Sequence, residues 1–396
     1  MKTSTMDVVR RRCAIVALSA LASGTMLAAT PALAGDGPAL LSRLKSISTV
    51  ASTVPGNGDV NPYGVALIRR TTGNLRAGHV LISNFNNSGN FQGTGSTIVD
   101  VAPDGTVSLF AALAPGSLHG ACPGGVGLTT ALVALEQGWV IVGSLPTAVV
   151  NGNTTFTGPG CLIVLDSLGN PVETFYGSLI NGPWDAAAFD GEHEAKLFVT
   201  NVLNGTVAAN GSVVNGGTVT RLDLKVSDSA KPVLESITVI GSGFSERTDP
   251  AALVIGPTGV GLHASCASDG DDCGDHDADH DGARLYVADT LNDRIAVIDH
   301  PLHRTTSAGT GHTLTAGGSL NAPLGLIVVP GGDVITVNGG DGNILEFSPE
   351  GAQRGKELID SSGSPPGAGA LFGLAFEASR GIYYVDDATN TLNLLH

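Results

Sequence analysis

The sequence predicts an all-β protein, a six-bladed β-propeller of four-stranded blades in which the N-terminal strand completes the last blade. Three observations support this fold class. Glycine supplies 55 of the 396 residues, which favours short strands and tight turns over long helices. A Pro-x-Gly-apolar phrase recurs along the chain, with departures in some copies, and similar strand-like segments follow each copy. The last unit lacks a fourth strand, and a β-like segment near the N-terminus can supply it.

The first 34 residues have the layout of a bacterial export signal. Arg10–Arg12 precede an apolar run over residues 13–29, and Ala32–Ala34 form a small-residue cleavage site. We therefore expect residues 1–34 to be removed and residues 35–396 to form a single propeller domain. Its expected location is the periplasm or the medium, without a membrane anchor. The arginines leave open whether export follows the general or the twin-arginine route.

The charge balance narrows the range of partners. The chain has 20 basic and 36 acidic residues, a net charge of −16, which opposes binding to nucleic acid or to an anionic membrane. We expect a monomer with neither of these partners.

The repeated phrase marks the start of each predicted blade, near residues 61, 122, 182, 256, 322 and 370. Successive copies are 48 to 74 residues apart, a suitable length for one small sheet with its loops. The copies are Asn61-Pro62-Tyr63-Gly64, Cys122-Pro123-Gly124-Gly125, Gly182-Pro183-Trp184-Asp185, Gly256-Pro257-Thr258-Gly259, Ala322-Pro323-Leu324-Gly325 and Ala370-Leu371-Phe372-Gly373.

Two further strands rich in β-forming residues follow each phrase. The second strands are predicted at Val80–Asn84, Val140–Ser144, Leu197–Asn201, Leu285–Asp289, Val334–Asn338 and Ile382–Asp386. The third strands are predicted at Ser96–Val101, Cys161–Asp166, Thr218–Asp223, Arg294–Asp299, Asn343–Ser348 and Thr391–His396. The segment at residues 43–53 is expected to close the ring, which leaves no free sheet edge between the first and last units.

One segment of the fourth unit carries a family resemblance. Residues 286–295, Tyr-Val-Ala-Asp-Thr-Leu-Asn-Asp-Arg-Ile, resemble the core phrase of NHL repeats, which form six-bladed propellers. The combination of Asn61–Gly64 with Ser83–Ser88 resembles a group of exported bacterial NHL-type proteins. That group has no assigned activity, so the resemblance implies the fold and not the function.

Aromatic residues of the repeated phrase are predicted at one mouth of the central channel. Tyr63, Trp184 and Phe372 each stand between the Pro and Gly positions of a phrase or at the equivalent place. They could stack on a sugar or grip an apolar side chain, and they could equally plug the channel as core. Asp185 adds a carboxylate near this mouth, either for a ligand or to cap a turn.

The ends of the second strands add polar candidates at the same face. Asn84 and Asn201 are candidates for ligand contacts, although polar residues at such positions usually hold the following turn. Long loops rich in Asn, Gly and Thr follow the second strands of the first three units, at residues 84–95, 144–160 and 201–217. One side of this face is therefore elaborated, as a binding surface would be.

Four cysteines remain once Cys13 leaves with the signal, and an even number in an exported protein suggests two disulfides. Cys266 and Cys273 can close a small loop. Cys122 is then left to pair with Cys161, and both map to the same face of the second blade.

An acidic segment of the fourth unit predicts a calcium site. Asp277, Asp279, Asp281 and Gly282 fit the pattern D-x-D-x-D-G, in which alternate carboxylates converge on the ion. The acid expected at the twelfth position is missing unless another aspartate of the segment folds in. A solvated acidic loop is one alternative. The other is a transition-metal site that uses His263, His276 and His280.

The predicted inner strands are nearly all apolar, which argues against a metal centre in the channel. Secreted six-bladed propellers that act as lactonases or lyases place several carboxylates, Asn or His there, around one metal. We therefore expect an exported binding or scaffold module, with a carbohydrate, peptide or protein as its partner at the channel mouth and calcium as its candidate cofactor. The alternative is a metal-dependent hydrolase or lyase.

Overall fold

The computed structural model describes residues 38–264 and 282–396. Within these ranges the regular structure is almost entirely β-strand, arranged as six principal sheets and one two-stranded hairpin. The export signal predicted over residues 1–34 lies outside the described residues. The described residues contain no helix that is long and apolar enough to cross a membrane.

The first three blades follow a short N-terminal segment. This segment contains α1 (Leu40–Arg43) and β1 (Ile47–Ser52). Blade 1 contains β2 (Val60–Leu67), β3 (Val80–Asn86), β4 (Thr97–Val101) and β5 (Val107–Ala112). Blade 2 contains β6 (Leu128–Ala134), β7 (Val140–Ser144), the hairpin β8 (Thr147–Val150) and β9 (Asn153–Phe156), β10 (Cys161–Leu165) and β11 (Pro171–Phe175). Blade 3 contains β12 (Pro183–Asp190), β13 (Glu194–Asn201), α2 (Thr206–Ala209), β14 (Val214–Lys225), β15 (Val233–Asp249) and β16 (Leu253–Ile255).

The last three blades are more regular. Blade 4 contains β17 (Pro257–His263), β18 (Arg284–Asp289), β19 (Arg294–Asp299) and β20 (His312–Ala316). Blade 5 contains β21 (Pro323–Val328), β22 (Val334–Asn338), β23 (Asn343–Phe347) and β24 (Gln353–Leu358). Blade 6 contains β25 (Leu371–Glu377), β26 (Gly381–Asp386) and β27 (Thr391–Leu395).

The ring closes as the sequence predicts. In blade 6 the sheet order is β1-β27-β26-β25, so the N-terminal strand supplies the outermost position. Ile47 pairs with Leu395 and Ser52 pairs with Thr391 in an antiparallel register. The first strand, β1, and the last strand, β27, are therefore paired in one sheet. The fold class is confirmed.

The start of blade 2 differs from the prediction. Leu128 pairs with Ser144, as Pro62 pairs with Asn84 in blade 1, so the inner strand begins at Leu128. The phrase at residues 122–125, where the sequence predicts the start of the blade, therefore lies in the loop before β6. A Pro-Gly-Gly turn outside the sheet has the same local sequence as the phrase, which explains the error.

The glycine of the repeated phrase lets neighbouring inner strands approach closely. A Cβ atom on Gly325 would lie 1.9 Å from the carbonyl oxygen of Phe372 in the next blade. A Cβ atom on Gly373 would lie 2.3 Å from the carbonyl oxygen of Tyr63, which belongs to blade 1. Because no side chain fits at such distances, only glycine allows these approaches, and the second one closes the ring.

Hydroxyl groups of the second strands link one blade to the next. Ser83 Oγ donates to the carbonyl oxygen of Thr129 at 2.7 Å, from blade 1 to blade 2. Thr200 Oγ1 donates to the carbonyl oxygen of Thr258 at 2.8 Å, from blade 3 to blade 4. These buried bonds satisfy carbonyl groups at the unpaired edges of the inner strands.

Aliphatic side chains fill the space between adjacent blades. Leu81 and Ile98 of blade 1 share one buried cluster with Val142 and Ile163 of blade 2. Each such side chain contributes about 1.5–3 kcal/mol when it is fully buried.

A disulfide between Cys122 and Cys161 confirms one of the two predicted pairings, with the Cα atoms 5.3 Å apart. It ties the loop before β6 to β10, in the same blade. Cys266 and Cys273 lie outside the described residues, so their pairing stays a prediction.

The close approach of the inner strands predicts that Gly325→Ala destabilises the protein by about 1–3 kcal/mol, because the added methyl group overlaps a backbone oxygen. Gly56→Ala is the control, since a Cβ atom there meets nothing within 4 Å. Equilibrium unfolding in denaturant measures both variants. Equal stabilities of the two would contradict the steric account.

Candidate functional site

Tyr63, Phe85, Trp184 and Phe372 form a buried group that we call the aromatic plug. The ring of Tyr63 stacks on Phe372 with centroids 4.0 Å apart and on Phe85 at 4.4 Å, and its centroid lies 6.2 Å from that of Trp184. All four side chains are buried. The structure thus brings the three predicted aromatic residues together as core. Their role in ligand binding stays a prediction.

A cleft of about 980 Å³ lies on the face that carries the long loops of blades 1–3, and we call it the loop-face cleft. Its walls come from the loop after β3, the β8–β9 hairpin, α2 and the turn between β15 and β16. Gln92 Nε2 donates to the carbonyl oxygen of Ala251 at 2.7 Å and so joins two of these walls. Six amide side chains line the cleft: Asn61, Asn86, Asn90, Gln92, Asn153 and Asn210.

Two of these amides have unused acceptor atoms. Asn61 Oδ1 and Asn86 Oδ1 are buried and have no hydrogen-bond partner among the described residues. Asn86 Nδ2 donates to Asn90 Oδ1 at 2.6 Å, which fixes the orientation of the Asn86 amide. An unsatisfied buried acceptor costs about 1–3 kcal/mol, so a donor group that reaches either of these shielded oxygens would be favoured.

Two carboxylates also line the cleft. Burial, with a smaller contribution from the neighbouring Asp386, raises the pKa of Asp387 to about 6, so this side chain is largely ionised at neutral pH. Asp249 is ion-paired to Arg247 at 2.7 Å. Burial raises the pKa of Asp249, but backbone N–H groups and Arg247 lower it by more, so it stays below the usual range. Asp387 is therefore the carboxylate that a ligand can use as an acceptor.

The two candidate asparagines, Asn84 and Asn201, are fully buried. Asn84 Nδ2 donates to the carbonyl oxygen of Thr53 at 3.1 Å and lies 3.3 Å from Thr97 Oγ1. Asn201 Nδ2 lies 3.1 Å from Thr220 Oγ1. None of these contacts is to the turn that follows the second strand, and both the turn-holding role and the ligand role of the two residues stay predictions.

Asp185 lies on the other side of the plug. Its carboxylate lines a separate cavity of about 760 Å³ in the channel, which we call the channel cavity, and its Oδ2 accepts the N–H of Val260 at 2.9 Å. Burial raises its pKa to about 7, although the backbone N–H groups of Val260 and Ala186 partly oppose this shift. Asn61 lines the cleft and Val65 lines the channel cavity, with the plug residue between them on β2. The structure therefore separates Asp185 from the loop-face cleft.

The proposed calcium ligands Asp277, Asp279 and Asp281 lie outside the described residues. Within the described ranges there is no group of three or more His, Cys, Asp or Glu side chains that could hold a metal ion. The calcium prediction therefore depends on the acidic segment itself and stays open.

Several residues that line the loop-face cleft were not predicted from the sequence. Asp387 directly follows a predicted second strand, but the pattern emphasised the strand end at Asp386. Asn86 lies in Ser83–Ser88, a segment with the family resemblance, and that resemblance could have identified it as a candidate. Asn153 and Asn210 lie in loops whose length was recognised, but length does not tell which side chains turn inward.

Glu246 lies on β15, three residues before Asp249 of the cleft. It is fully buried, and neither carboxylate oxygen has a hydrogen-bond partner among the residues described. Burial raises its pKa to about 8. The folded protein therefore holds Glu246 as a neutral acid at neutral pH.

This protonation predicts a pH-dependent effect of Glu246→Gln. A pKa that is raised in the folded state means that stability is lost as pH rises from about 4.5 to about 8. Gln stays neutral, so the variant should gain stability relative to the natural protein across this window, by up to about 1.4 kcal/mol per pH unit. Urea unfolding at both ends of the window measures this gain. Glu235→Gln, an exposed position on the same strand, is the control. An equal effect of Glu246→Gln at both pH values would contradict the buried neutral acid.

No protein-family model and no curated protein matches the chain. Among solved structures, a gluconolactonase from Xanthomonas campestris is similar with a TM-score of 0.51 and 12% identity, over 88% of each chain. The calcium-binding protein regucalcin from Agrobacterium tumefaciens is similar with a TM-score of 0.50 and 11% identity, over 88% of this chain and 93% of that one. At such identities the similarity shows the fold alone, a six-bladed β-propeller.

Proposed function

We propose that this protein is an exported, monomeric binding module whose loop-face cleft takes a neutral, hydroxyl-rich ligand of the carbohydrate class. The observation that carries the proposal is the set of six amide side chains lining one cleft, two of them with unpaired buried acceptors. Amides offer both donors and acceptors, which suits the paired donor and acceptor capacity of sugar hydroxyl groups.

The other lining residues support a neutral ligand. The ring of Phe156 contributes to the cleft and can stack on the apolar face of a sugar. The described lining contains Asp249 and Asp387 but no Lys, Arg or His, so an anionic ligand would lack a counterion. The net charge of −16 also opposes the binding of an anionic ligand. A peptide remains the second ligand class to be tested, because its backbone also exchanges hydrogen bonds with amides.

Calorimetry against a panel of neutral oligosaccharides, acidic oligosaccharides and peptides tests this proposal. We expect binding of a neutral oligosaccharide, and we expect Asp387→Ala to weaken it roughly 10- to 100-fold, because a hydrogen bond to a charged group contributes about 1.5–3 kcal/mol. Asn74→Ala, an exposed amide outside the cleft, is the control and should bind normally. Binding only to peptides, or unchanged binding by Asp387→Ala, would refute the carbohydrate cleft. Cleavage of a bound sugar that requires added metal would favour the hydrolase or lyase alternative.

We also propose that calcium stabilises the exported domain through Asp277, Asp279 and Asp281. The support is their D-x-D-x-D-G spacing. A ligand of the folded state raises stability, by about 2.7 kcal/mol at a hundredfold excess over its Kd. The melting temperature should therefore be higher with calcium than with chelator, and replacement of the three aspartates by Asn should remove the difference. Glu192→Gln with Glu235→Gln is the control for lost surface charge. Identical melts of the natural protein in both conditions would refute calcium binding.

A further inference from the structure

The channel cavity is a second concave space, and its described lining shares no residue with the loop-face cleft. The inner strands of all six blades contribute to it, so it follows the axis of the ring. Aliphatic side chains form part of its wall: Ala186 and Ala188 of blade 3, Leu262 of blade 4 and Ile327 of blade 5. A cavity of about 760 Å³ is within the usual range for a small-molecule site.

Asp185 is the one carboxylate buried within this described lining, with 9% of its surface exposed. It stands at the glycine position of the repeated phrase. Its contacts are backbone N–H groups, of which Val260 is the closest at 2.9 Å, and no cationic side chain of the described ranges contacts it. By contrast, the buried Asp289 is paired with Arg294 at 2.9 Å. A bound cation would stabilise the ionised form of Asp185, for which the described residues provide no counterion.

A second polar group in the cavity is also unpartnered. Thr130 lies on β6, the inner strand next to β12, and lines the same cavity. Its Oγ1 is buried and makes no hydrogen bond within the described part of the chain. A hydroxyl oxygen, like a carboxylate oxygen, can accept a hydrogen bond from a donor-only group.

The charged residues that line the rest of the cavity favour entry of a cation. Glu136, Asp190 and Glu377 contribute acids, whereas Arg69 contributes one base. Burial lowers the pKa of His263, with a contribution from Arg284, so this imidazole is neutral at pH 7. The lining is therefore acidic overall.

We propose that the channel cavity binds an aliphatic primary ammonium ion, with Asp185 as its counterion and Thr130 Oγ1 as a second acceptor. An ammonium group offers three donors and no acceptor, which matches these two groups. The aliphatic part of the wall accommodates the hydrocarbon part of the same ligand. A single carboxylate does not provide the oxygen ligands that calcium or magnesium requires, so the site suits an organic cation. The proposal is independent of the loop-face cleft.

Calorimetric titration with hexylamine, with hexan-1-ol as the neutral analogue of equal length, tests the proposal. We expect hexylamine to bind near pH 8 and hexan-1-ol to bind at least roughly 10-fold more weakly. Asp185→Asn keeps the shape and the acceptor for Val260, and it should weaken hexylamine binding roughly 10- to 100-fold while leaving hexan-1-ol unchanged. Asp185→Gly provides a second variant, because glycine stands at the equivalent place in other blades, for example Gly325.

The pH dependence separates Asp185 from the other groups. Because the pKa of Asp185 is about 7, protonation should weaken hexylamine binding roughly 30-fold near pH 5.5, while the amine itself stays protonated. Asp190, whose pKa is raised to about 6 by burial and by Glu136, also titrates in this range. The titration is therefore repeated with Asp185→Asn, in which the pH effect should be much smaller.

Several outcomes would overturn the proposal. These are no binding of hexylamine, equal binding of hexan-1-ol, or full binding by a folded Asp185→Asn or Asp185→Gly variant. Displacement of hexylamine by calcium at low concentration would instead identify a metal site and also overturn it. Failure of the oligosaccharide experiment on the cleft would leave this result unaffected.

Discussion

The close approach of the inner strands around the channel is the constraint on which the rest of the structure depends. In blades 4, 5 and 6 the inner strand passes so near its neighbour that the phrase residue next to a carbonyl oxygen is glycine, at Gly259, Gly325 and Gly373. The contact between Gly373 and Tyr63 joins the last blade to the first. Together with the pairing of β1 and β27, it makes the ring continuous both at its centre and at its rim.

The same narrow ring explains why the molecule has two separate cavities. Large aromatic side chains at the start of the inner strands meet at the axis and fill it, as the stacking of Tyr63 on Phe372 shows. On one side of this plug the loops form the polar loop-face cleft. On the other side the inner strands line the channel cavity, which has one buried carboxylate, Asp185. The two spaces differ in chemistry, so they suit different ligands.

Sequence patterns predicted the features that depend on local periodicity. The strands at Val140–Ser144, Val334–Asn338 and Arg294–Asp299 appear with the predicted bounds, and the pairing of β1 with β27 follows from a missing strand. The predictions were weaker for features that depend on how deeply a side chain is buried or on contacts between residues far apart in the sequence. The sequence around Tyr63 does not distinguish a buried ring from an exposed stacking residue. The Gln92–Ala251 hydrogen bond across the cleft joins residues 159 positions apart, which local sequence does not reveal. The predictions on residues 265–281 lie outside the described residues.

We propose that ligand recognition takes place in the loop-face cleft, above the aromatic plug. The most direct test is a crystal structure of the protein with a neutral oligosaccharide that it binds in solution. We expect sugar density in the cleft, with hydroxyl groups hydrogen bonded to Asp387. Sugar density in the channel cavity, or on the outer strands with an empty cleft, would contradict it.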